Sequence, residues 1–410
     1  MFEVLRDRLK EAAVDEELPR LSAGLEVAIR FEVGEEGLVL QIADQRAVVL
    51  DAYTAGEVDI RVAAPADTWA KVFQAPPPAT FHSFTAFQLA NAEFQIEGAA
   101  VAIARARPVL ERVIERTVRA TAAAAPSTPR DLAQIAGRYR ALHIGGQRYD
   151  IYFEEAGHGT PVLFLHTAGA DGRQFQPQLS DIGLAENHRL IAVDLPFHGK
   201  SMPPLSWGGG IYTLSSEMYL AWCAAIIEEI VGEQAIVAGG SMGAAMALTL
   251  AAKRPSLLRG IIAIEPPFRS KGRRNAYQNH AHVHGSLHNA AYVRGLMSPI
   301  SPEDCRRRAS WIYSQAAPGI YAGDLAFYSD EFDGAVTAPE IDAGDVPTVL
   351  LSGDYDYSAT PADGAKLAAL IPGSLHLTMP GLGHFPMCEH PDYFRSYLMA
   401  GLDHIARRSR

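Results

Sequence analysis

The segment Gly239-Gly240-Ser241-Met242-Gly243 constrains this chain more than any other, because it joins the apolar run Ala235-Ile236-Val237-Ala238 to the helix-forming run Ala244 to Lys253. A strand that turns directly into a helix at a serine brings two backbones close together. Side chains two positions before and two after that serine would collide, so glycine at 239 and 243 is what such a bend requires. The bend lifts the Ser241 hydroxyl above the carboxyl edge of a sheet. It also aims the amides that open the helix, Met242's among them, at a single point where negative charge can be held. A Gly-rich turn with a helix-capping serine has the same composition, so this reading depends on what the rest of the chain supplies.

A neutral serine hydroxyl is a poor nucleophile without a base, and the base needs a carboxylate to fix its tautomer. Both follow in the order Ser, Asp, His. After the apolar run Pro347 to Leu351 comes Ser352-Gly353-Asp354-Tyr355-Asp356, and after Leu375 to Thr378 comes Pro380-Gly381-Leu382-Gly383-His384-Phe385. Gly381 and Gly383 let the second loop turn sharply enough for the His384 imidazole to reach Ser241. Asp356, deeper in its loop, is favoured as the acid over Asp354, which reads as a turn or capping residue; Glu265 at another strand end is a third candidate. His166-Thr167-Ala168-Gly169 follows a further buried run, and its small residues suit a loop whose amide, Ala168's first and Thr167's second, completes an oxyanion hole opposite Met242.

These segments sit in a regular frame. Short apolar runs at Pro161 to Leu165, Leu190 to Val193, Ala235 to Ala238, Gly260 to Ile264, Pro347 to Leu351 and Leu375 to Thr378 alternate with longer helical stretches. That alternation predicts an α/β fold with a mostly parallel sheet. The stretch 265–345 interrupts it with helix-forming, His-rich and aromatic sequence, including Trp311, Tyr313, Tyr321, Phe327, Tyr328 and Phe332, and is expected to cap the site. Upstream, Thr121 to Pro129 is small-residue sequence closed by two prolines and reads as a linker, here taken over 121–141. Before it, the alternating segment from Leu25 to Ile60, folded back at Gly34-Glu35-Glu36-Gly37 and flanked by helices near Phe2 to Glu17 and Pro108 to Arg119, predicts a small α+β domain over 1–120. The catalytic core is then 142–264 with 346–410.

From about Leu142 onward the chain resembles the α/β-hydrolase family, in which an oxyanion loop, a DxPGHGxS-like turn (here Asp194 to Ser201), the nucleophile elbow, a GxxD loop and a GxGHF loop occur in this order. The resemblance implies a serine hydrolase with an inserted cap. Thr167 stands where a glycine is usual, and Phe197 replaces the usual glycine before His198. A serine at the elbow argues against the family's epoxide hydrolases and haloalkane dehalogenases, which need a carboxylate nucleophile. Residues about 25–120 resemble a sterol-carrier-protein-type lipid-binding module; a dimerisation or packing module fits the same pattern, which makes a homodimer through this part an expectation.

Composition narrows the partners. The chain has 410 residues and a formal net charge of −11, which disfavours binding to a phosphate backbone, so no nucleic-acid partner is expected. Three separated cysteines suggest neither a disulfide framework nor a zinc site and fit a reducing cytoplasm. No apolar run is long enough to span a bilayer. His280, His282, His284 and His288 are dense, but they are read as polar contacts and not as metal ligands. The expected activity is cleavage of a carboxylic ester or related acyl bond of a small to medium apolar or aromatic substrate, with no cofactor and no metal. Hydrolysis of a carbon–carbon bond in a β-diketone or vinylogous diketone uses the same three residues, and a ligand carrier with vestigial turnover is the reading from another class.

Overall fold

In the computed structural model, which describes residues 1–51 and 56–408, the apolar runs read as strands in the C-terminal part pair into one sheet. This sheet belongs to a compact unit made of Ala124–Asn275 and Gln315–Arg410. Its strands are β6 (Ala136–Ile144), β7 (Gln147–Ala156), β8 (Thr160–Leu165), β9 (His188–Val193), β10 (Ala235–Gly240), β11 (Leu258–Ile264), β12 (Thr348–Gly353) and β13 (Leu375–Met379), in the order β13-β12-β11-β10-β8-β9-β7-β6. The run from β13 to β9 is parallel, and β7 and β6 add an antiparallel edge. The strands β8, β10, β11 and β12 are buried almost throughout, as expected where helices cover both faces. Because they are parallel, the loops after β8, β10, β12 and β13 all leave at one edge, where sites form in open α/β sheets.

A second compact unit comprises Met1–Ala123 together with Ala276–Ser314. The inserted stretch 265–345, expected as one cap, is therefore divided: its helices Gly285–Gly295 and Glu303–Ser314 pack with the N-terminal part, and Gln315 onward packs with the sheet just described. In the second unit β1 (Val27–Val33), β2 (Glu36–Ala43), β3 (Arg46–Asp51), β4 (Ile60–Ala64) and β5 (Gln95–Gly98) form a sheet of order β3-β2-β1-β4-β5. The hairpin between β1 and β2 turns at Gly34, with φ of +62°. Residues 52–55, within the segment expected to be strand-rich, lie outside the described residues. The core against this sheet is its own aromatic cluster: Trp69 meets Phe31, Phe87 and Phe94 at ring separations of 6.5, 6.3 and 5.4 Å. The long helix Ala100–Thr117 carries Pro108 in its interior.

Two features bind the inserted helices to this unit. Gly295 lies so close to the helix that opens at Phe84 that a Cβ would stand 2.7 Å from Thr85 Cβ, so only glycine fits there. A buried ion network then closes the contact: Arg112 reaches Asp15, Glu115 and Glu303 at 2.7, 2.9 and 3.0 Å, and Arg294 reaches Glu17 and Glu115 at 2.8 and 2.7 Å. A cavity of about 110 Å³ beside it is lined by these charged groups, which does not suit an apolar ligand.

Glu111 on the same helix accepts from the Thr85 amide and hydroxyl at 2.9 and 2.8 Å, yet burial pushes its carboxyl up to about 7. A carboxyl whose folded pKa lies above its unfolded value stabilises the fold below the unfolded pKa, and that contribution is lost as pH rises through about 7. Glu111→Gln should therefore gain on the wild type as pH rises from about 5 to 8, by up to about 3 kcal/mol. Hydrogen exchange of the Ala100–Thr117 amides at the two pH values reads this locally; a difference that stays constant with pH would show that Glu111 is already ionised in the fold.

Candidate active site

Ser241 is the residue between β10 and the helix Met242–Lys253, and its φ of +50° is a left-handed conformation that a non-glycine residue adopts only under constraint. The constraint is visible on both sides. A Cβ at 239 would lie 2.1 Å from the Gly243 carbonyl oxygen, and a Cβ at 243 would lie 2.4 Å from that of Leu165. The Ser241 amide donates to Ile264 O at 2.8 Å, which pins the bend to β11.

The structure brings the three expected residues together. His384 Nε2 is 2.8 Å from Ser241 Oγ, and His384 Nδ1 is 2.5 Å from Asp356 Oδ2. All three are buried, with 4, 4 and 2 % of their surfaces exposed for Ser241, His384 and Asp356, so their mutual hydrogen bonds are little weakened by water. Asp356 is itself held: its Oδ1 accepts from the amides of Ser358 and Ala359 at 2.6 and 3.0 Å. Asp354 faces elsewhere, its Oδ1 accepting from the Gly381 amide at 2.6 Å, which ties the loop after β12 to the loop after β13.

Glu265, the third candidate for the acid, closes β11 with φ of +51° and is fully buried. Its carboxyl accepts from the Gly353 amide at 2.9 Å. Burial first, and then the charge of Asp356 beside it, push its pKa well above the carboxylate range. Both effects favour the protonated form of Glu265, which can donate to Asp356.

The loop after β8 can offer few amides to a substrate. Thr167 N donates to Gln174 Oε1 at 2.9 Å, Gly169 N donates to Asp324 Oδ2 at 2.7 Å, and Ala170 N donates to Thr167 O at 3.2 Å. Ala168 N, between Thr167 N and Gly169 N, is not taken up in that way. Met242 N is the first amide of its helix, which has no partner within the helix. Of the expected donors, Thr167 N is engaged by Gln174, whereas no such bond engages Ala168 N or Met242 N among the described residues.

The turn Asp194 to Ser201 reads as rigid, and the structure shows what holds it. Phe197 adopts φ of +73° where glycine is usual, with its ring 4.6 Å from Tyr212 and 5.6 Å from Trp207. Of the aromatic residues in the inserted stretch, Phe327 packs on Tyr219 at 5.3 Å and Trp311 is exposed. Tyr321 covers Gly169, where a Cβ would meet its ring at 2.6 Å. Tyr328 is buried, and that burial raises the pKa of its hydroxyl. His288 turns its Nδ1 to Ala104 O at 3.0 Å, and among the described residues no group of His, Cys, Asp and Glu is placed to hold a metal. No described helix is long and apolar enough to cross a membrane. Gln174, Asp324 and Tyr328 reach the site without any motif that marks them in the sequence.

A profile of the family described as alpha/beta hydrolase fold matches residues 160–391. Among characterised proteins, the chain is similar to 2-(acetamidomethylene)succinate hydrolase of Mesorhizobium japonicum, at 26% identity over 60% of this chain and 88% of that one. It is also similar to a pimeloyl-[acyl-carrier protein] methyl ester esterase of Stenotrophomonas maltophilia, at 25% identity over 59% of this chain and 92% of that one. Among solved structures, a thermophilic esterase from Thermogutta terrifontis superposes with a TM-score of 0.56 at 20% identity, covering 65% of this chain and 99% of that chain. The enol-lactonase from Burkholderia xenovorans superposes with a TM-score of 0.55 at 19% identity, covering 64% and 100%. At these identities the solved structures speak to the fold.

Proposed function

Because the chain belongs to the alpha/beta hydrolase fold family, we propose that it is a serine hydrolase cleaving a carboxylic ester, or a related acyl bond, of a small to medium apolar substrate through an acyl-enzyme. The observation that carries this reading is the continuous path from Ser241 Oγ through His384, at 2.8 Å, to Asp356, at 2.5 Å. Ser241 Oγ attacks the acyl carbon as its proton passes to His384 Nε2, and the Nδ1 proton stays directed at Asp356. The carbonyl oxygen becomes an oxyanion between the amides of Met242 and Ala168. The intermediate collapses when His384 returns the proton to the leaving oxygen. Water then enters, gives its proton to His384, attacks the acyl carbon, and releases the acid with Ser241 restored. The methyl ester esterase and the succinate-derivative hydrolase among the relatives support hydrolysis at an acyl centre. The Tyr321 ring against Gly169 and the buried Tyr328 support a substrate with apolar surface.

The test is a labelling and turnover pair. An alkyl fluorophosphonate should form one adduct, mapped by mass spectrometry to the peptide containing Ser241, and aryl esters should turn over faster than β-diketones. Absence of the adduct would remove the nucleophile assignment. A strong preference for the diketone would replace the ester reading with carbon–carbon hydrolysis.

A further inference from the structure

Asp324 is a fully buried carboxylate in the helix Ile320–Leu325, far in sequence from the triad, and the acyl-transfer steps above make no use of it. Three donors from three different segments converge on it. Oδ2 accepts from Gly169 N at 2.7 Å and faces His198 Nε2 at 2.8 Å, while Oδ1 accepts from the Tyr212 hydroxyl at 2.8 Å. His198 Nδ1 in turn faces Pro196 O at 2.9 Å. Both ring nitrogens of His198 thus point at oxygen acceptors, which only the imidazolium can satisfy with two N–H groups. A buried carboxylate is tolerated where its charge is paired and its lone pairs are filled, and this one meets both conditions.

The position of Asp324 gives this cluster a consequence for the site. Gly169 follows Ala168 directly, so fixing the Gly169 amide fixes the plane of the peptide that joins them and limits rotation of the Ala168 amide before it. Gln174 holds Thr167 N at 2.9 Å on the other side. The Ala168 amide therefore sits between two anchored neighbours. Gly169 has φ of +70°, and the Tyr321 ring lies where its Cβ would be, so the same helix holds the loop by packing as well as by hydrogen bonding.

We infer that Asp324 is a positioning residue for the oxyanion loop: it claims the Gly169 amide, keeps it from competing for substrate, and holds the Ala168 amide in the geometry that stabilises the tetrahedral oxyanion. The inference rests on the serine-hydrolase reading. A group of this kind acts on the transition state and not on substrate binding, so its removal should lower kcat while leaving KM nearly unchanged.

The experiment uses the full-length protein with an aryl ester and an aryl trifluoromethyl ketone, which adds to the serine as a hemiketal and leaves an oxyanion in the hole. Asp324→Ala should lower kcat by about a hundred-fold, the scale of one lost oxyanion donor. KM should move by less than about three-fold, and affinity for the ketone should fall by the same factor as kcat/KM. Asp324→Asn keeps an acceptor for Gly169 N and should recover activity to within about ten-fold of the wild type, which also covers the case in which the alanine variant fails to fold. Tyr212→Phe removes a donor to Asp324 without touching Gly169 and should stay within about three-fold. The inference is overturned if folded Asp324→Ala keeps kcat within about three-fold, if ketone affinity does not track kcat/KM, or if Asp324→Asn is as impaired as the alanine variant. A wild type that forms no Ser241-dependent ketone adduct would instead sink the serine-hydrolase reading, which separates the two failures.

Discussion

Ser241→Ala is expected to lower kcat by about a million-fold while leaving the fold intact, because the members of such a triad act as one unit and loss of the nucleophile removes nearly all that the unit supplies. A remnant on the order of a thousand-fold over water should persist, since Met242 N and Ala168 N still bind the oxyanion. Fluorophosphonate labelling should vanish in parallel. A second substitution separates chemistry from strain. Ser241 holds φ of +50°, a conformation that alanine shares at the same cost and glycine adopts freely. Both variants lose the 2.8 Å hydrogen bond to His384. Ser241→Gly should therefore be as inactive as Ser241→Ala but more stable by about 1 kcal/mol, the cost of holding a Cβ in that region less the entropy of the glycine in the unfolded chain. Urea unfolding of the two variants side by side measures the difference. Equal stabilities would mean that the bend stores no strain, and residual labelling in either variant would move the nucleophile elsewhere.

The parts of this architecture legible in the sequence are those where local chemistry and tertiary role coincide. Gly239 and Gly243 are required by close approach where Ser241 sits at the bend, and Gly381 holds φ of +78° in the loop that carries His384. The buried parallel strands announce themselves as apolar runs because water reaches neither face. The edge strand β6 does not, since most of its residues are exposed and no alternation survives, so its first six residues read as the end of a linker. Pro108 lies inside the helix Ala100–Thr117, and nothing local shows that packing will hold a proline there. The division of 265–345 is equally hidden. It depends on Gly295 meeting Thr85 and on Arg112 and Arg294 meeting acids distant in sequence, which are pairings between elements and not patterns within one. The candidate site shows the same contrast: Ser241, His384 and Asp356 carry local signatures, whereas Gln174 and Asp324 reach it through side-chain contacts with the loop after β8.

Asp356→Asn is expected to lower kcat by about ten-thousand-fold, and the cause is the tautomer it imposes on His384. In the wild type the 2.5 Å contact requires His384 Nδ1 to carry a proton, which leaves Nε2 free to accept from Ser241. The amides of Ser358 and Ala359 both donate to Asp356 Oδ1, at 2.6 and 3.0 Å, so an asparagine must keep its oxygen there and turn its NH₂ group toward His384. Facing a donor, Nδ1 becomes the acceptor and the proton moves to Nε2, where it blocks the base. Asp354→Asn retains an acceptor for the Gly381 amide and should stay within about three-fold of the wild type. Glu265→Gln reproduces the neutral carboxyl, accepting from Gly353 N and donating to Asp356, and should stay within about ten-fold; a much larger loss would mean that Glu265 works as an anion. Steady-state kinetics of the three variants on one aryl ester decides among the carboxyls. A collapse in Asp354→Asn with a mild Asp356→Asn would transfer the orienting role to the neighbour two residues upstream, against the directions in which the two side chains point.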